Sequence, residues 1–129
     1  MNANIYKQEC DTLVKKDLPI QWKNASKSDE FLLSEIKKLF KTKQHFVSFM
    51  FHPSQAKLAF ASEEIIEMAM CLGSGNDLLV RIALDIWSGE GGINFNELYQ
   101  KLDTRNFDEV INILKTLRKQ QFLGDEEIF

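Results

Sequence analysis

Apolar residues recur at helical spacing along most of this chain. Between Asp29 and about Lys43, Leu32, Ile36, Leu39 and Phe40 fall on one stripe, which predicts an amphipathic helix. Ser28 is its expected cap, and Asp29 and Glu30 suit the positive end of its dipole. From Asp77 to Trp87 the pattern changes. Leu78, Leu79, Val80, Ile82, Ala83, Leu84, Ile86 and Trp87 leave almost no polar face, so this helix is expected at the centre, covered by its neighbours. Arg81 and Asp85 stand four apart and are expected to pair. Leu98, Tyr99 and Leu102 mark a shorter helix with an inward face. Phe107, Val110, Ile111, Leu114 and Leu117 mark a longer one, reaching about Gln120.

Caps and breaks divide these stripes. Ser62 is expected to cap a helix that opens on Glu63 and Glu64, and Gly73 and Gly75 end it. Ser74 with Asp77 has capping-box spacing for the next start. Asn94 with Glu97, and Asn106 with Glu109, repeat that spacing with Asn in place of Ser or Thr. Gly89, Gly91 and Gly92 turn the chain between the central helix and the short one. Ile5 to Lys16 predicts a weaker first helix that ends before Pro19. A loop to Lys27 follows, with Trp22 laid on the body. The segment 45–61 is aromatic and partly alternating. It admits a small β-hairpin or two extended pieces, against a helix through KLAFA. The closing FLGDEEIF reads as a short strand or a tail. The fold class expected is mainly α: one helical domain, 1–129, around a buried central helix at 77–87. The alternative is an α+β or winged-helix-like C-terminal half.

Composition adds limits. A chain of 129 residues with 44% hydrophobic content builds a core without staples, and its ten Phe supply much of the volume. No apolar run approaches the ~18–20 residues of a membrane span, and no signal pattern opens the chain, so the cytoplasm is the expected location. Cys10 and Cys71 are expected as free thiols, Cys71 within the core. The net charge of −3 is uneven: nine Lys against six Asp or Glu up to His45 (+3), seven Lys or Arg against thirteen acids beyond it (−6). Such asymmetry suits an electrostatically complementary partner.

Catalytic chemistry finds little footing. His45 and His52, seven apart in an extended segment, would point to opposite faces, and no zinc spacing surrounds them. LGSGND and SGEGG lack the strand and the GK[ST] ending of a phosphate loop. No catalytic residue, cofactor or metal is expected. A winged-helix reading would place Phe107 to Gln120 in a DNA groove. Asp108 and Glu109 at its start, with Asp125, Glu126 and Glu127 on the wing, oppose phosphate, so nucleic acid is not the expected partner. The acidic half instead suits a basic protein. Glu97, Tyr99, Asp103, Asp108, Glu109, Asp125, Glu126, Glu127 and Phe129 are the candidate partner-binding residues, with Tyr99 and Phe129 as aromatic anchors if exposed.

Residues 74–117 contain SG-x-x-LL-x-R-x-ALD-x-W-x-G and then EL-x-x-x-LD-x-x-NF. This run, about a third of the chain, resembles a segment of small bacterial immunity proteins that accompany polymorphic toxins, including contact-dependent growth inhibition systems. The resemblance implies a cytoplasmic, non-enzymatic inhibitor that binds a cognate toxin domain. The pattern consists mostly of core residues and caps, so it transfers no contact residue. A nuclease as the toxin, and occlusion by an acidic surface, follow from the charge argument. The alternative function is a winged-helix DNA-binding regulator.

Overall fold

The computed structural model describes residues 20–125, and their side chains except at 74 and 122–125. The helix expected at Ile5 to Lys16 lies outside this range. The described residues are mainly helical, with α1 at Lys27–Lys37, α2 at His45–Met50, α3 at Ser62–Ala69, α4 at Ser74–Ser88, α5 at Phe95–Lys101 and α6 at Thr104–Asp125. Short 3₁₀ turns at Lys38–Phe40 and Met70–Leu72 follow α1 and α3. No described helix is long and apolar enough to cross a membrane.

The caps decide where the helices begin. Ser26, in extended conformation, caps α1: its Oγ accepts from the Asp29 N–H at 3.0 Å. Ser28 therefore lies inside the first turn. At the other end, the Gln44 amide donates to the carbonyls of Lys37 and Phe40 at 3.0 and 2.8 Å. Those donors satisfy acceptors that the helix leaves unpaired, which is why the chain turns there. Gly73 adopts φ 94° and holds the N-cap position, so Ser74, the expected cap, and Gly75 both belong to the first turn of α4 and the Ser74–Asp77 capping box does not form. Asp103 caps α6, its Oδ1 accepting from the Asn106 N–H at 2.7 Å. Asn106 is thus inside the helix it was expected to open. The Asn94–Glu97 capping box forms as expected.

The central helix is where its pattern predicts. Val80, Ala83 and Leu84 of α4 are fully buried, and α1 and α3 pack on it. Phe40, Phe49, Phe51, Ile36, Met50, Ile65 and Met68 complete the interior with Ile113 from α6. Glu35 is buried at 3% exposure; its Oε2 meets Lys38 Nζ at 2.5 Å while Oε1 has no partner.

Segment 45–61 departs from the hairpin expectation. HFVSFM is helical, with Phe46, Val47, Phe49 and Met50 buried. His45 and Ser48, at i and i+3, form its less buried face, and burial around the rest outweighs the β preference of the aromatics. The hairpin shrinks to one antiparallel bridge, Phe51 with Leu58, and KLAFA is not helical. His52 holds the turn between them: Nδ1 accepts from the N–H groups of Ser54 and Gln55 at 3.1 and 3.0 Å. Trp22 lies on the body as expected. Its indole N–H donates to the His52 carbonyl at 2.8 Å, and its ring meets Phe51 and Trp87.

Two further expectations change. Cys71 is exposed, because the buried stripe of α3 runs through Ile65, Met68 and Ala69 and leaves it on the outer side. The strand expected at FLGDEEIF does not form as far as Asp125, since α6 continues to that residue.

Candidate partner-binding surface

The chain between α4 and α5 is held by two side chains of α4. Arg81 Nε donates to the Gly91 carbonyl at 3.1 Å and Nη2 to the Gly92 carbonyl at 2.6 Å. Its Nη1 and Nη2 also reach Glu97 Oε2 and Oε1 at 3.1 and 3.2 Å. Asp85 faces the same loop, accepting from the N–H groups of Gly91 and Ile93 at 2.8 and 2.9 Å. Arg81 and Asp85 are thus spent on the loop, and the pair expected between them does not form: the peptide groups around the buried Gly91 need partners more than two partly exposed charges need each other. Nearby, Ser62 is the first residue of α3 and not its cap, which is Ala61; its hydroxyl donates to Glu90 at 2.5 Å.

Glu97 has three duties. It takes the Arg81 fork, accepts from the Asn94 N–H at 3.2 Å and lies 3.7 Å from Lys101. The Arg81 hydrogen bonds and the Asn94 N–H hold its carboxyl below the usual range. Asp77, behind Arg81, moves the other way: burial raises its pKa against the pull of Arg81, and its Oδ1 has no partner. The signs give a pH test. A raised carboxyl pKa means that the folded state binds the proton more tightly, so its cost appears as pH rises past the unfolded value. Asp77→Asn is therefore expected to raise the thermal midpoint at pH 7 and to lose that advantage near pH 3.8 and below. A lowered pKa has the opposite sign. Glu97→Gln is expected to lower the midpoint at pH 7, with the deficit shrinking as pH falls below the ordinary value of 4.5. Thermal melts across pH 3–8 check both, and parallel curves for parent and variants would refute the assignment.

This staple presents the outer side of α5 to solvent. Phe95 is 86% exposed and Tyr99, one turn later, 68% exposed. The inward Tyr99 expected from the apolar pattern is corrected: Leu98 and Leu102 alone turn towards the core. Beside Phe95 an open apolar groove of about 180 Å³ runs between α4, α5 and α6, floored by Ile82, Ile86, Ile93 and Val110 and edged by the exposed Leu114. A second, shallow hollow adjoins Tyr99, lined by Leu102, Thr104 and Phe107. Large aromatic side chains left in water beside an apolar groove are features of protein-binding surfaces. Phe95 and the groove were missed in the sequence. Phe95 follows Asn94 at the start of α5, where a cap neighbour gives no sign of its direction.

The candidate carboxylates fare unevenly. Glu97 is committed to Arg81, and Glu109 lies 3.3 Å from Lys41 with its side chain 21% exposed. Asp103 is exposed but engaged as the α6 cap, and Asp108 is exposed. Tyr99, Asp103 and Asp108 thus share the α5–α6 corner. The Asp125 side chain, Glu126, Glu127 and Phe129 lie outside the described residues. The early lysines also find partners within the fold: Lys38 with Glu35, Lys41 with Glu109, and Lys43 with Asn76 Oδ1 at 2.6 Å. Among the described residues no group of three or more His, Cys, Asp or Glu is placed to hold a metal ion. No protein-family model, no curated protein and no solved structure matches the chain.

Proposed function

We propose that this chain is a non-catalytic binding protein that seats a partner protein on the α5–α6 edge. In the finer form of this reading, it is an immunity protein that neutralises a cognate bacterial toxin, with a nuclease domain as the partner. One observation carries the binding role: Phe95 and Tyr99 stand exposed one turn apart beside the apolar groove. Exposed aromatics of this kind act as anchors once water is excluded around them. The immunity class is supported by the resemblance over residues 74–117. The choice of a basic partner is supported by Asp103 and Asp108 at the same corner, and electrostatic complementarity there would speed encounter.

Inhibition would be steric. The inhibitor covers the toxin's substrate-binding face and makes or breaks no bond. Asp108→Lys is the cleanest electrostatic probe, because Asp108 is exposed while Glu109 is tied to Lys41 and Asp103 caps α6. The expected result is association slowed by about tenfold at low salt with little change in dissociation, read by stopped-flow mixing. The proposal itself is tested by co-expressing this chain with the toxin domain of any large secreted protein encoded upstream of it. Growth rescue together with a stable complex is expected. Continued toxicity with no complex on size exclusion would end the immunity reading.

A further inference from the structure

The exposed side of α6 away from the groove has a different chemistry. Arg105, Asp108, Asn112, Lys115 and Lys119 are all exposed. At 100° per residue they fall on one stripe, roughly 100° or more around the helix from Leu114. The stripe holds three cations and one carboxylate. Glu109 would have balanced it, but it turns inward to Lys41. The exposed acids Glu63, Glu64 and Glu67 sit on α3, which packs on α4. The stripe therefore carries a net positive charge on a chain whose net charge is −3, a local field that suits a polyanion.

The backbone supplies a matching shape. α5 ends at Lys101, Leu102 is extended at φ −77°, ψ 138°, and Asp103 caps α6 at once. Leu98 of α5, Leu102 of the turn, and Val110 and Ile113 of α6 turn to the core that α4 closes. We infer that α5, the Leu102–Asp103 turn and α6 form a helix-turn-helix whose outward stripe on α6 binds duplex DNA. From Arg105 to Lys119 the stripe spans about 21 Å at ~1.5 Å per residue. That is about six phosphate steps of a strand at ~3.4 Å each. Arg105, Lys115 and Lys119 take phosphates, and Asn112 between them has the donor and acceptor that pair with an adenine edge in the major groove. This stripe meets the α5–α6 corner at Asp108 and runs from there along α6, and its cations stand whether or not the Phe95–Tyr99 edge binds a toxin.

The test is fluorescence anisotropy of the full chain with a labelled duplex of about two helical turns. At low salt the expected Kd is on the order of 10 µM, rising steeply with salt because counterions are released on binding. Lys115→Glu combined with Lys119→Glu is expected to weaken binding at least ~30-fold without moving the thermal midpoint, since both residues are exposed. Lys115→Ala alone should flatten the log–log salt slope by about one, which keeps the test decisive if the double variant misfolds. Phe95→Ala should bind DNA like the parent. Binding unaffected by Lys115→Ala would overturn the inference. So would competition by poly-glutamate as effective as that by duplex, which would indicate an acidic protein as the ligand.

Discussion

Alanine at position 91 is expected to cost this protein about 3–5 kcal/mol of stability, although it adds a single methyl group. The Cβ would stand 1.8 Å from the Arg81 carbonyl oxygen, 2.8 Å from the Arg81 carbonyl carbon and 2.9 Å from Asp85 Cγ. The first two atoms are backbone of α4. They cannot yield, because Val80 and Leu84 on the same helix are fully buried. The loop must move instead. Moving it pulls the Gly91 and Gly92 carbonyls off Arg81 and the Gly91 and Ile93 N–H groups off Asp85. Hydrogen bonds to charged groups contribute about 1.5–3 kcal/mol each, and overpacking adds about 1–3 kcal/mol, so partial relaxation still leaves a large loss. The thermal midpoint should fall by ~10–20 °C at a few degrees per kcal/mol. Gly75→Ala is the control. It sits in the first turn of α4 with nothing within 4 Å of its Cβ, and is expected to be stabilising by about 0.5–1 kcal/mol. Urea melts of the two variants decide the matter, and a Gly91→Ala midpoint within experimental error of the parent would contradict the staple described here.

Removing the two exposed aromatics should produce the reverse pattern. Phe95→Ala and Tyr99→Ala are each expected to weaken binding to the partner by about 30-fold or more, equivalent to ~2 kcal/mol, and to leave the melting curve within ~0.5 kcal/mol of the parent. The separation rests on exposure. At 86% and 68% accessible, these rings lose few internal contacts on truncation. A partner covering them would lose two anchors at the rim of the groove between α4, α5 and α6. Isothermal titration with the co-expressed toxin domain gives the affinity, and calorimetry of the free variants gives the stability. Unchanged affinity in the double variant would move the interface elsewhere. Lower stability without lower affinity would mean that the rings serve the fold rather than a partner.

The residues of this surface differ in how far they could be read in advance. The Asn94–Glu97 capping box was legible, because a cap is a contact between residues three apart. The same spacing misled at Asn106 and Glu109. There Asp103 takes the cap, and Glu109, part of a carboxylate run in the sequence, turns to Lys41 of a distant turn. Tyr99 fits an apolar stripe with Leu98 and Leu102 as well as it fits a surface, and only the tertiary fold left it outside. Segment 45–61 shows the same limit: its aromatics suit a strand, yet burial on several sides made HFVSFM a helix.

Taken alone, the order of residues determined that the described part is mainly helical, that 77–87 lies at the centre, and that glycine breaks and the capped start at Asn94 punctuate it. These depend on periodicity and on contacts within one turn, which neighbours in the chain settle between themselves. Tertiary structure decided which charges remain available to a partner, where Arg81 and Asp85 spend their hydrogen bonds, and that Phe95 and Tyr99 face water. Those outcomes depend on groups brought together from distant positions. A charged or aromatic side chain adopts whatever role the desolvation and hydrogen-bond demand around it impose, and that surrounding exists only after the helices have packed.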